Sequence, residues 1–273
     1  MKYPESSQGN KPVWSDHRVL GLYKASTTLY NPEILIFLKF RCHVAGRVID
    51  IGCGAGRTSF FLLQLSANYV GIDYSQEMVT ACKARFPEAD FRVCDFSEMS
   101  FAADAAFDLV LFSFNGIDYV DHGKRIKGIN EVHRILAKHG LFIFSSHNRA
   151  SRRPKTDPKI QLSLDPRRQL RLIREFVTAC QNRRRNKQLE ISVAEYALIN
   201  DHHLQYSLLT YYIGIKEQLE QLRSHGFDVI DIYDNTGTTL TRDWDGCDSP
   251  WIYYVARKSG RNGARTVEST NNF

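Results

Sequence analysis

The stretch VIDIGCGAGR, at residues 48–57, is the most informative part of the chain. Its first four residues are typical of a short buried strand, and a helix is predicted to follow through about Ser66. Between the two, the glycines at positions 52, 54 and 56 let the backbone turn tightly and approach a ligand closely. The start of the following helix offers free backbone N–H groups. The segment therefore predicts a strand, a ligand-binding loop and a helix in direct succession.

The segments that follow continue this alternation of strand and helix. The predicted strands lie at residues 69–73, 91–94, 107–112 and 140–144, and the predicted helices at 75–86, 124–137 and 215–225. Two further strands, 227–233 and 251–257, would close the sheet as an antiparallel pair. This order predicts an α/β fold with a doubly wound, mostly parallel sheet.

Other segments flank or interrupt this predicted core. Residues 1–13 are polar and are predicted to be a loose arm, and helices are predicted at 15–27 and 31–40. After the fifth strand, the chain is predicted to be helical from Pro166. A hairpin of strands 189–199 and 203–211 follows, with its turn at Asn200-Asp201.

We therefore expect four parts. They are an N-terminal helical cap (1–45), the α/β core (46–148 and 214–258), an inserted helix-plus-hairpin lid (149–213) and a polar tail (259–273). The tail is predicted to be disordered.

The composition is that of an ordinary globular protein, with 273 residues of which 43% are hydrophobic and 24% charged. No apolar run approaches the roughly 18 residues of a membrane-spanning helix, and the start, MKYPESSQGN, lacks an apolar segment. The six cysteines contain no C-x-x-C pair, which favours a reduced chain and argues against a zinc site. We expect a cytoplasmic protein with no metal and no membrane partner.

The net charge of +6 is concentrated in one segment. Residues 149–187 contain 13 basic and 3 acidic side chains, which leaves 23 basic and 27 acidic residues elsewhere. This uneven distribution argues against a general nucleic-acid binder. Two interpretations of the basic segment stay open. It is either a solvated helix face whose long side chains cover apolar residues, or a surface that attracts an anionic substrate.

Acidic residues follow three successive predicted strands. Asp50 lies just before the first glycine, Asp73 ends the second strand, and Asp95-Phe96 follows the third. Asp50 suits a cationic amino group, and Asp73 can accept both hydroxyls of a ribose. The acid–aromatic pair can bind an adenine. A dinucleotide site would need a third glycine at position 57, where Arg57 stands. Because ligands bind at the carboxyl edge of such sheets, the three strand ends predict one nucleotide site.

At these residues the chain resembles the class I S-adenosylmethionine-dependent methyltransferases, especially the small bacterial type. The resemblance is strong over residues 45–148, through VIDIGCGAGR, GIDYS, CDF, FDLVLFSFNGIDYV and EVHRILAKHGLFIFSSHN, and weaker over 214–258. It implies a seven-stranded, Rossmann-like sheet whose last strand is antiparallel. It also implies S-adenosylmethionine as the cofactor and S-adenosylhomocysteine as the product.

The same resemblance implies roles for individual residues. The glycine loop with Asp50 surrounds the methionine part of the cofactor, and Asp73 holds the ribose. Residues after the second and third strands flank the adenine, and residues after the fourth line the floor near the sulfonium. Tyr30 is similar to the family's lid tyrosine. The expected cofactor-binding residues are Tyr30, Asp50, Gly52, Cys53, Gly54, Arg57, Asp73, Tyr74, Met78, Asp95, Phe96, Ser113 and Phe114.

Transfer of a methyl group from a sulfonium needs mainly the alignment of acceptor, methyl and sulfur, and a base where the acceptor is a hydroxyl or a protonated amine. His147, after the fifth strand, and Asp118, after the fourth, are the candidate catalytic residues. A loop-bonding role for His147 stays open. Asn115 is a candidate to orient the acceptor.

Four further aromatic or imidazole side chains lie near the predicted acceptor side of the chain. Tyr211 and Tyr212 are candidate substrate contacts, although core packing is the favoured alternative for both. His202 and His203 lie at the predicted hairpin tip, so a solvated turn is expected there, and their adjacency does not provide metal-ligand spacing.

The first functional hypothesis is a methyltransferase that moves a methyl group to a small-molecule O or N acceptor by in-line displacement. The loop after the fourth strand reads Ser113-Phe114-Asn115-Gly116 rather than an N-P-P-Y-like tetrapeptide, which would suggest a planar base as acceptor. Nucleic acid is therefore not the expected partner. The alternatives are an RNA or protein methyltransferase that docks through the basic insert, a non-catalytic cofactor-binding protein, and a nucleotide-dependent oxidoreductase. A monomer or a homodimer is expected.

Overall fold

The computed structural model describes residues 10–14, 19–21, 27–151, 157–241 and 246–259, without the side chains of residues 11 and 12. The predicted helix at 15–27 therefore lies mostly outside the described residues, although residues 19–21 are helical. The predicted disorder of the tail also falls on residues that the structure does not describe, apart from Ser259.

The described chain alternates helices and strands as the sequence predicts. The strands are β1 (Arg47–Ile51), β2 (Asn68–Asp73), β3 (Asp90–Val93), β4 (Phe107–Phe112), β5 (Leu136–Asn148), β6 (Ile191–Ser192), β7 (Tyr196–Ile199), β8 (Thr210–Ile213), β9 (Phe227–Asp234) and β10 (Trp251–Lys258). The α-helices are α1 (Lys11–Trp14), α2 (Asn31–Lys39), α3 (Arg41–Val44), α4 (Ser59–Leu65), α5 (Gln76–Arg85), α6 (His122–Ile135), α7 (Pro166–Asn186) and α8 (Ile215–Ser224). Short 3-10 helices cover Gly116–Tyr119, Lys187–Leu189 and His203–Tyr206.

The central sheet has the strand order β3-β2-β1-β4-β5-β10-β9. Strands β1 to β5 pair in parallel, and β10 runs antiparallel to both of its neighbours. The predicted fold class, a doubly wound and mostly parallel seven-stranded sheet, is confirmed. Strands β8, β7 and β6 extend the sheet from the carboxyl end of β5.

Helices bury both faces of the sheet. Neighbouring residues of each central strand point to opposite sides, so each strand contributes side chains to both buried layers. Val48, Leu109 and Leu141 pack under the face that carries α2, α3 and α4. The residues that follow each of them in sequence pack on the other face, with α6 and α8. The continuous apolar runs of β1, β4 and β5 therefore reflect a sheet covered by helices on both sides, and only its edges remain for a ligand.

Capping residues fix where the helices begin. The hydroxyl of Ser75 accepts a hydrogen bond from the backbone N–H of Met78, as the sequence predicts for the start of α5. Asp121 caps α6 by accepting from the N–H of Lys124, so that helix begins two residues before the predicted start. Strand β5 also begins earlier than predicted, because Leu136 already pairs with Phe107.

The predicted hairpin in the insert is wrong in its turn and in its second strand. β7 does pair antiparallel with β8, but residues 200–209 form a wide loop between them rather than a two-residue turn. The loop is held open by the buried side chain of Asn200, whose amide donates to the carbonyls of Tyr206 and Leu208. The predicted strand 189–199 is broken into β6 and β7, which pair with each other.

Candidate functional site

A cavity of about 270 Å³, measured as the space open to the centre of a water molecule, lies at the carboxyl edge of β1 to β4. This is the edge at which ligands bind in open α/β sheets. The cavity lining contains every expected cofactor-binding residue except Tyr30. These residues are Asp50, Gly52, Cys53, Gly54, Arg57, Asp73, Tyr74, Met78, Asp95, Phe96, Ser113 and Phe114.

The glycine loop brings its backbone against the cavity. Gly52, Gly54 and Gly56 have φ angles of +62°, +55° and +85°, which residues other than glycine rarely adopt. A Cβ atom on Gly52 would lie 2.7 Å from the ring of Phe112, so this position also lacks room for any side chain. The spacing of the glycines in the sequence thus follows from both backbone conformation and close packing.

Two carboxylates are buried at the ends of β1 and β2. Asp50 accepts hydrogen bonds at its Oδ2 atom from the hydroxyls of Thr58 and Tyr69, at 2.7 and 3.0 Å. Asp73 accepts from the backbone N–H groups of Gly54 and Ser75, at 3.0 and 2.9 Å. Burial raises the pKa of both Asp50 and Asp73 to about 6, although these hydrogen bonds lower it in part.

A third carboxylate, Asp95, follows β3 and is bound by Lys124, whose Nζ lies 2.7 Å from Oδ2. Burial raises the pKa of Asp95, but the bonds from Lys124 and Ser97 outweigh it and leave the pKa below its ordinary value. Next to it, Phe96 is buried against Phe112, with ring centroids 5.1 Å apart. The acid and the aromatic ring therefore reach the same wall of the cavity.

Arg57 links the glycine loop to the N-terminal helix α2. Its guanidinium binds the two carboxylate oxygens of Glu33 at 2.6 and 2.7 Å. It also lies over the ring of Tyr30, 5.0 Å from the centroid, and over that of Phe114 at 5.5 Å. Tyr30 stacks on Phe114 with centroids 5.3 Å apart, so it supports the cavity wall although it does not line it. The hydroxyl of Ser113 donates to Glu33 as well.

The turn after β4 is strained. Phe114 and Asn115 both have positive φ angles, of 54° and 58°, in a region that costs of order 1–3 kcal/mol per residue. The backbone N–H of Asn115 donates to the hydroxyl of Ser145, which helps to hold this conformation. The turn directs Phe114 into the cavity, and the buried Oδ1 atom of Asn115 has no hydrogen-bond partner among the described residues.

The two candidate catalytic residues, which are 29 positions apart in sequence, are in contact. Nδ1 of His147 lies 2.7 Å from Oδ2 of Asp118. Asp118 is fully buried and also accepts from Arg125 and from the hydroxyl of Ser146, each at 2.7 Å. Nε2 of His147 lies 3.4 Å from Nδ2 of Asn115. The carboxylate thus fixes the imidazole orientation and leaves Nε2 directed towards the turn after β4.

Neither His147 nor Asp118 belongs to the described lining of the cavity. Tyr119, which does line it, has its ring centroid 6.1 Å from that of His147. On its other side Tyr119 stacks on His203, at 5.8 Å. His203 is half-buried rather than solvated, which corrects the prediction of an open turn, and burial lowers its pKa. Among the described residues, Nε2 of His203 has no hydrogen-bond partner.

The two candidate substrate tyrosines lie outside the described cavity lining. Tyr211 is fully buried, stacks on Tyr196 and lies under the guanidinium of Arg125, 4.3 Å from its ring. This is the packing role that the sequence analysis favoured. Tyr212 donates its hydroxyl to Asp201 and has its ring 5.2 Å from that of His147. It therefore supports the histidine rather than facing the cavity.

Several cavity residues were missed by the sequence analysis. Asn10 lines the cavity although residues 1–13 were predicted to be a loose arm, and Trp14, directly after this arm, lines it as well. The side chain of Asn10 is buried and donates to the carbonyls of Tyr119 and Leu209, which ties this segment to the cavity wall. A tryptophan next to a polar arm was the available signal. Lys124 and Tyr119 gave no signal, because only the fold brings them to Asp95 and to His147.

The described residues contain no group of three or more His, Cys, Asp or Glu side chains that is arranged to hold a metal ion. Within the same ranges, no helix has the length and apolar character to span a membrane.

The sheet order, the glycine loop and the acids at three strand ends define a Rossmann-like nucleotide site of the methyltransferase type. Residues 48–140 match the family model described as a methyltransferase domain. This matched segment, about a third of the chain, is a methyltransferase domain of the class I S-adenosylmethionine-dependent type.

Individual relatives agree with this assignment. A "probable S-adenosylmethionine-dependent methyltransferase" of Mycolicibacterium smegmatis is 26% identical over 147 residues, which cover 54% of this chain and 55% of that protein. The chain thus spans about half the length of this curated relative. Among solved structures, an S-adenosylmethionine-dependent methyltransferase from Clostridium acetobutylicum has a TM-score of 0.59 at 13% identity, covering 89% and 98% of the two chains.

A second solved structure is the 1,6-didemethyltoxoflavin-N1-methyltransferase of Burkholderia thailandensis, with its acceptor and S-adenosylhomocysteine bound. It has a TM-score of 0.51 at 17% identity, and covers 93% of this chain and 84% of that one. At these identities both structures establish the fold.

Proposed function

We propose that this chain transfers a methyl group from S-adenosylmethionine to an O or N atom of a small-molecule acceptor. The observation that carries the proposal is the cavity at the carboxyl edge of the sheet. It gathers the glycine loop and the buried acids Asp50 and Asp73 beside the strained turn at Phe114.

The cavity residues fit this cofactor chemically. Asp50 and Asp73 are carboxylates whose charged forms are destabilised by burial, as their raised pKa values of about 6 indicate. A cationic amino group near Asp50 and ribose hydroxyls near Asp73 would favour the charged forms. The absence of a side chain at Gly52 allows the backbone to approach the ligand closely. The expected set of cofactor-binding residues, with Tyr30 behind Phe114, is therefore kept as part of the proposal.

When bound, S-adenosylmethionine supplies an activated methyl group on a sulfonium. The chain has to position the acceptor and exclude water, and such positioning is worth about 7–11 kcal/mol in favourable cases. Phe114 and Tyr119 line the cavity, and their aromatic faces would stabilise a sulfonium held there by roughly 1–2 kcal/mol when the site is dry.

His147 would take the proton of a hydroxyl or protonated amine acceptor at Nε2. Because Nδ1 is paired with Asp118, Nε2 is the nitrogen left to act as the base. Asp118 is fully buried and does not itself meet the acceptor, so we assign it as a positioning residue for the imidazole. The acceptor would then lie near Tyr119 and Asn115, between the cavity and His147.

The test is transfer of radioactive label from the methyl group of S-adenosylmethionine into pools of small hydroxylated and amine compounds. Cellular RNA and protein are assayed in parallel. We expect label in a small molecule, with loss of transfer in Asp73→Ala. In His147→Gln we expect a slower reaction and an unchanged affinity for S-adenosylhomocysteine. Label that enters RNA or protein instead would refute the small-molecule acceptor.

The cytoplasmic location and the choice between monomer and homodimer remain predictions from the sequence. Size-exclusion chromatography with light scattering tests the oligomeric state directly, and cell fractionation tests the location.

A further inference from the structure

The segment from Ile160 to Val177 exposes a continuous set of aliphatic side chains. Leu162 and Leu164 precede α7; Leu162 is 83% exposed and Leu164 is fully exposed. On α7 itself, Leu170, Ile173 and Val177 are each about half exposed, and Ile160 is exposed to the same degree. One interpretation of the sequence was that long basic side chains cover these residues, but the structure leaves them between 40% and fully exposed.

The exposed aliphatic residues of α7 form one stripe, because positions 170, 173 and 177 recur at the spacing of a single helix face. Beside the stripe, Leu172, Phe176 and Ala179 form a less exposed side of the helix. The apolar stripe is thus separate from the core-facing side of the helix. We call the exposed side chains of residues 157–177 the basic-aliphatic face.

Arginines border this stripe on one side. In a regular helix, Arg167 and Arg174 lie next to Leu170, with Arg171 further round on the same side, and all three are exposed. Residues 157–177 carry five basic and three acidic side chains, a net charge of +2. Arg171 lies 3.8 Å from Glu175, in an exposed pair that contributes little. The stripe therefore has a basic border, and a surface that is apolar with an anionic boundary complements it.

The helix is held firmly to the rest of the protein. Asn182 donates to the carbonyl of Gln205 at 2.9 Å, and Asn186 donates to the carbonyl of Tyr206 at 3.0 Å. Residues 203–206 in turn meet the cavity wall, where His203 stacks on Tyr119. A surface bound at the basic-aliphatic face would therefore be connected to the cavity through one short 3-10 helix.

We propose that the basic-aliphatic face docks the protein on the surface of an anionic lipid bilayer. Aliphatic side chains would enter the boundary between headgroups and acyl chains, and the arginines would lie at the phosphates. This goes beyond the expectation from sequence, which assigned no membrane partner. It describes peripheral binding and is independent of the acceptor's identity.

Two other occupants fit the face less well. Single-stranded RNA is bound through aromatic stacking as well as charge, and the large exposed apolar residues of the described insert are all aliphatic. A second copy of the chain, docked face to face, would bring the two rows of arginines together and repel itself. Lipid is the occupant that uses both the aliphatic stripe and its basic border.

The test is co-sedimentation of the full chain with vesicles of phosphatidylcholine, with and without about one third phosphatidylglycerol. The variants are Leu162→Asp/Leu164→Asp and Arg167→Ala/Arg171→Ala. The matched controls are Leu38→Asp/Leu65→Asp, at positions that are 64% and 52% exposed, and Lys127→Ala/Lys216→Ala. Circular dichroism checks that each variant is folded, and binding to single-stranded RNA is measured alongside.

We expect the wild type to bind anionic vesicles at least tenfold more tightly than neutral ones, and less tightly as salt is raised. The leucine variant should lose at least tenfold in vesicle affinity, and the arginine variant about fivefold for each arginine removed. The control variants should bind as the wild type does. Failure of the wild type to bind anionic vesicles, equal losses in the control variants, or binding to RNA without vesicle binding would each overturn the proposal.

Discussion

Replacing Glu33 with glutamine tests how the N-terminal helix is joined to the glycine loop. The change removes the negative charge from a buried ion pair, in which the side chain of Glu33 is 1% exposed and that of Arg57 is 12% exposed. The guanidinium of Arg57 would then remain buried without its counter-ion. We expect the free energy of unfolding to fall by several kcal/mol as a result.

The size of this loss in unfolding free energy depends on the burial of the pair and on the contacts that Arg57 keeps. Breaking a buried ion pair on one side typically costs about 3–5 kcal/mol. The lower end applies here, because a glutamine oxygen can still accept from the Tyr30 N–H or from Arg57. The guanidinium also keeps the carbonyl of Thr28, at 3.2 Å, and two aromatic rings. We therefore predict a loss of about 3 kcal/mol.

Urea unfolding of the purified protein measures this loss. The chain offers a matched control in Arg47 and Asp108, which form two similar side-chain bonds at 2.8 and 3.0 Å but are 45% and 35% exposed. Asp108→Asn should cost less than about 1 kcal/mol, since exposed pairs contribute little. The double variant Glu33→Gln/Arg57→Met should recover part of the stability, because it removes the unpaired charge.

A loss of unfolding free energy in Glu33→Gln that is no larger than the loss in Asp108→Asn would refute this prediction. So would a double variant in which Arg57→Met lowers the unfolding free energy of Glu33→Gln by as much as an independent substitution would. Either result would mean that the pair is not the link between α2 and the glycine loop that its burial indicates.

Three further predictions concern the cavity. Gly52→Ala should destabilise the fold by about 2–4 kcal/mol in urea unfolding, because its φ is positive and its Cβ would contact Phe112. Gly21 is helical and has open space around it, so Gly21→Ala should stabilise the fold by up to about 1 kcal/mol. S-adenosylhomocysteine should bind more weakly as the pH falls through about 6, by up to tenfold per pH unit. The raised pKa of Asp73 lies there, and ribose hydroxyls bind the charged form. In calorimetric titrations, Asp73→Asn should reduce the dependence of S-adenosylhomocysteine affinity on pH. An unchanged pH dependence would contradict the role of Asp73 in binding the ribose. His147→Gln should lower kcat by about 10²–10⁴ with the chosen acceptor while the Kd of S-adenosylhomocysteine stays the same, and equal losses in both would indicate a structural role.

The central sheet was predictable because its signals are local. β1, β2 and β4 are short apolar runs bounded by glycines, acids and helix caps, and the bounds of β4 are those predicted. Ser75 marks the start of α5 through its own hydroxyl. The start of α2 is marked by Pro32 in its first turn and by Glu33, which accepts from the backbone N–H of Tyr30; Asn31 is the first helical residue and not the cap that its sequence position suggests. Strand ends in a parallel sheet then converge on one edge, so the acids at positions 50, 73 and 95 could be placed together before the structure was known.

The insert was harder to predict because its structure depends on long-range contacts. The wide loop between β7 and β8 is held by the buried amide of Asn200, and in sequence Asn200-Asp201 is indistinguishable from a tight turn. His203 likewise resembled a solvated residue until its stacking on Tyr119 was seen.

The acceptor side of the site shows the same limit. His147 and Asp118 could be chosen from their positions after β5 and β4, but their contact and the burial of Asp118 under Arg125 could not. Arg125 gives no signal in sequence, since a basic residue on a helix is most often exposed. Sequence reasoning therefore located the edge of the sheet at which chemistry occurs, and the packing beneath it required the structure.

Calorimetric titration with S-adenosylmethionine, S-adenosylhomocysteine and NAD tests the central claim most directly. It should be performed on the wild type, on Asp73→Ala and on Asp108→Ala as an exposed control. We predict micromolar binding of both sulfur nucleotides, no binding of NAD, a large loss of affinity in Asp73→Ala and none in Asp108→Ala. Absence of binding by both sulfur nucleotides, or tighter binding of NAD, would contradict the account.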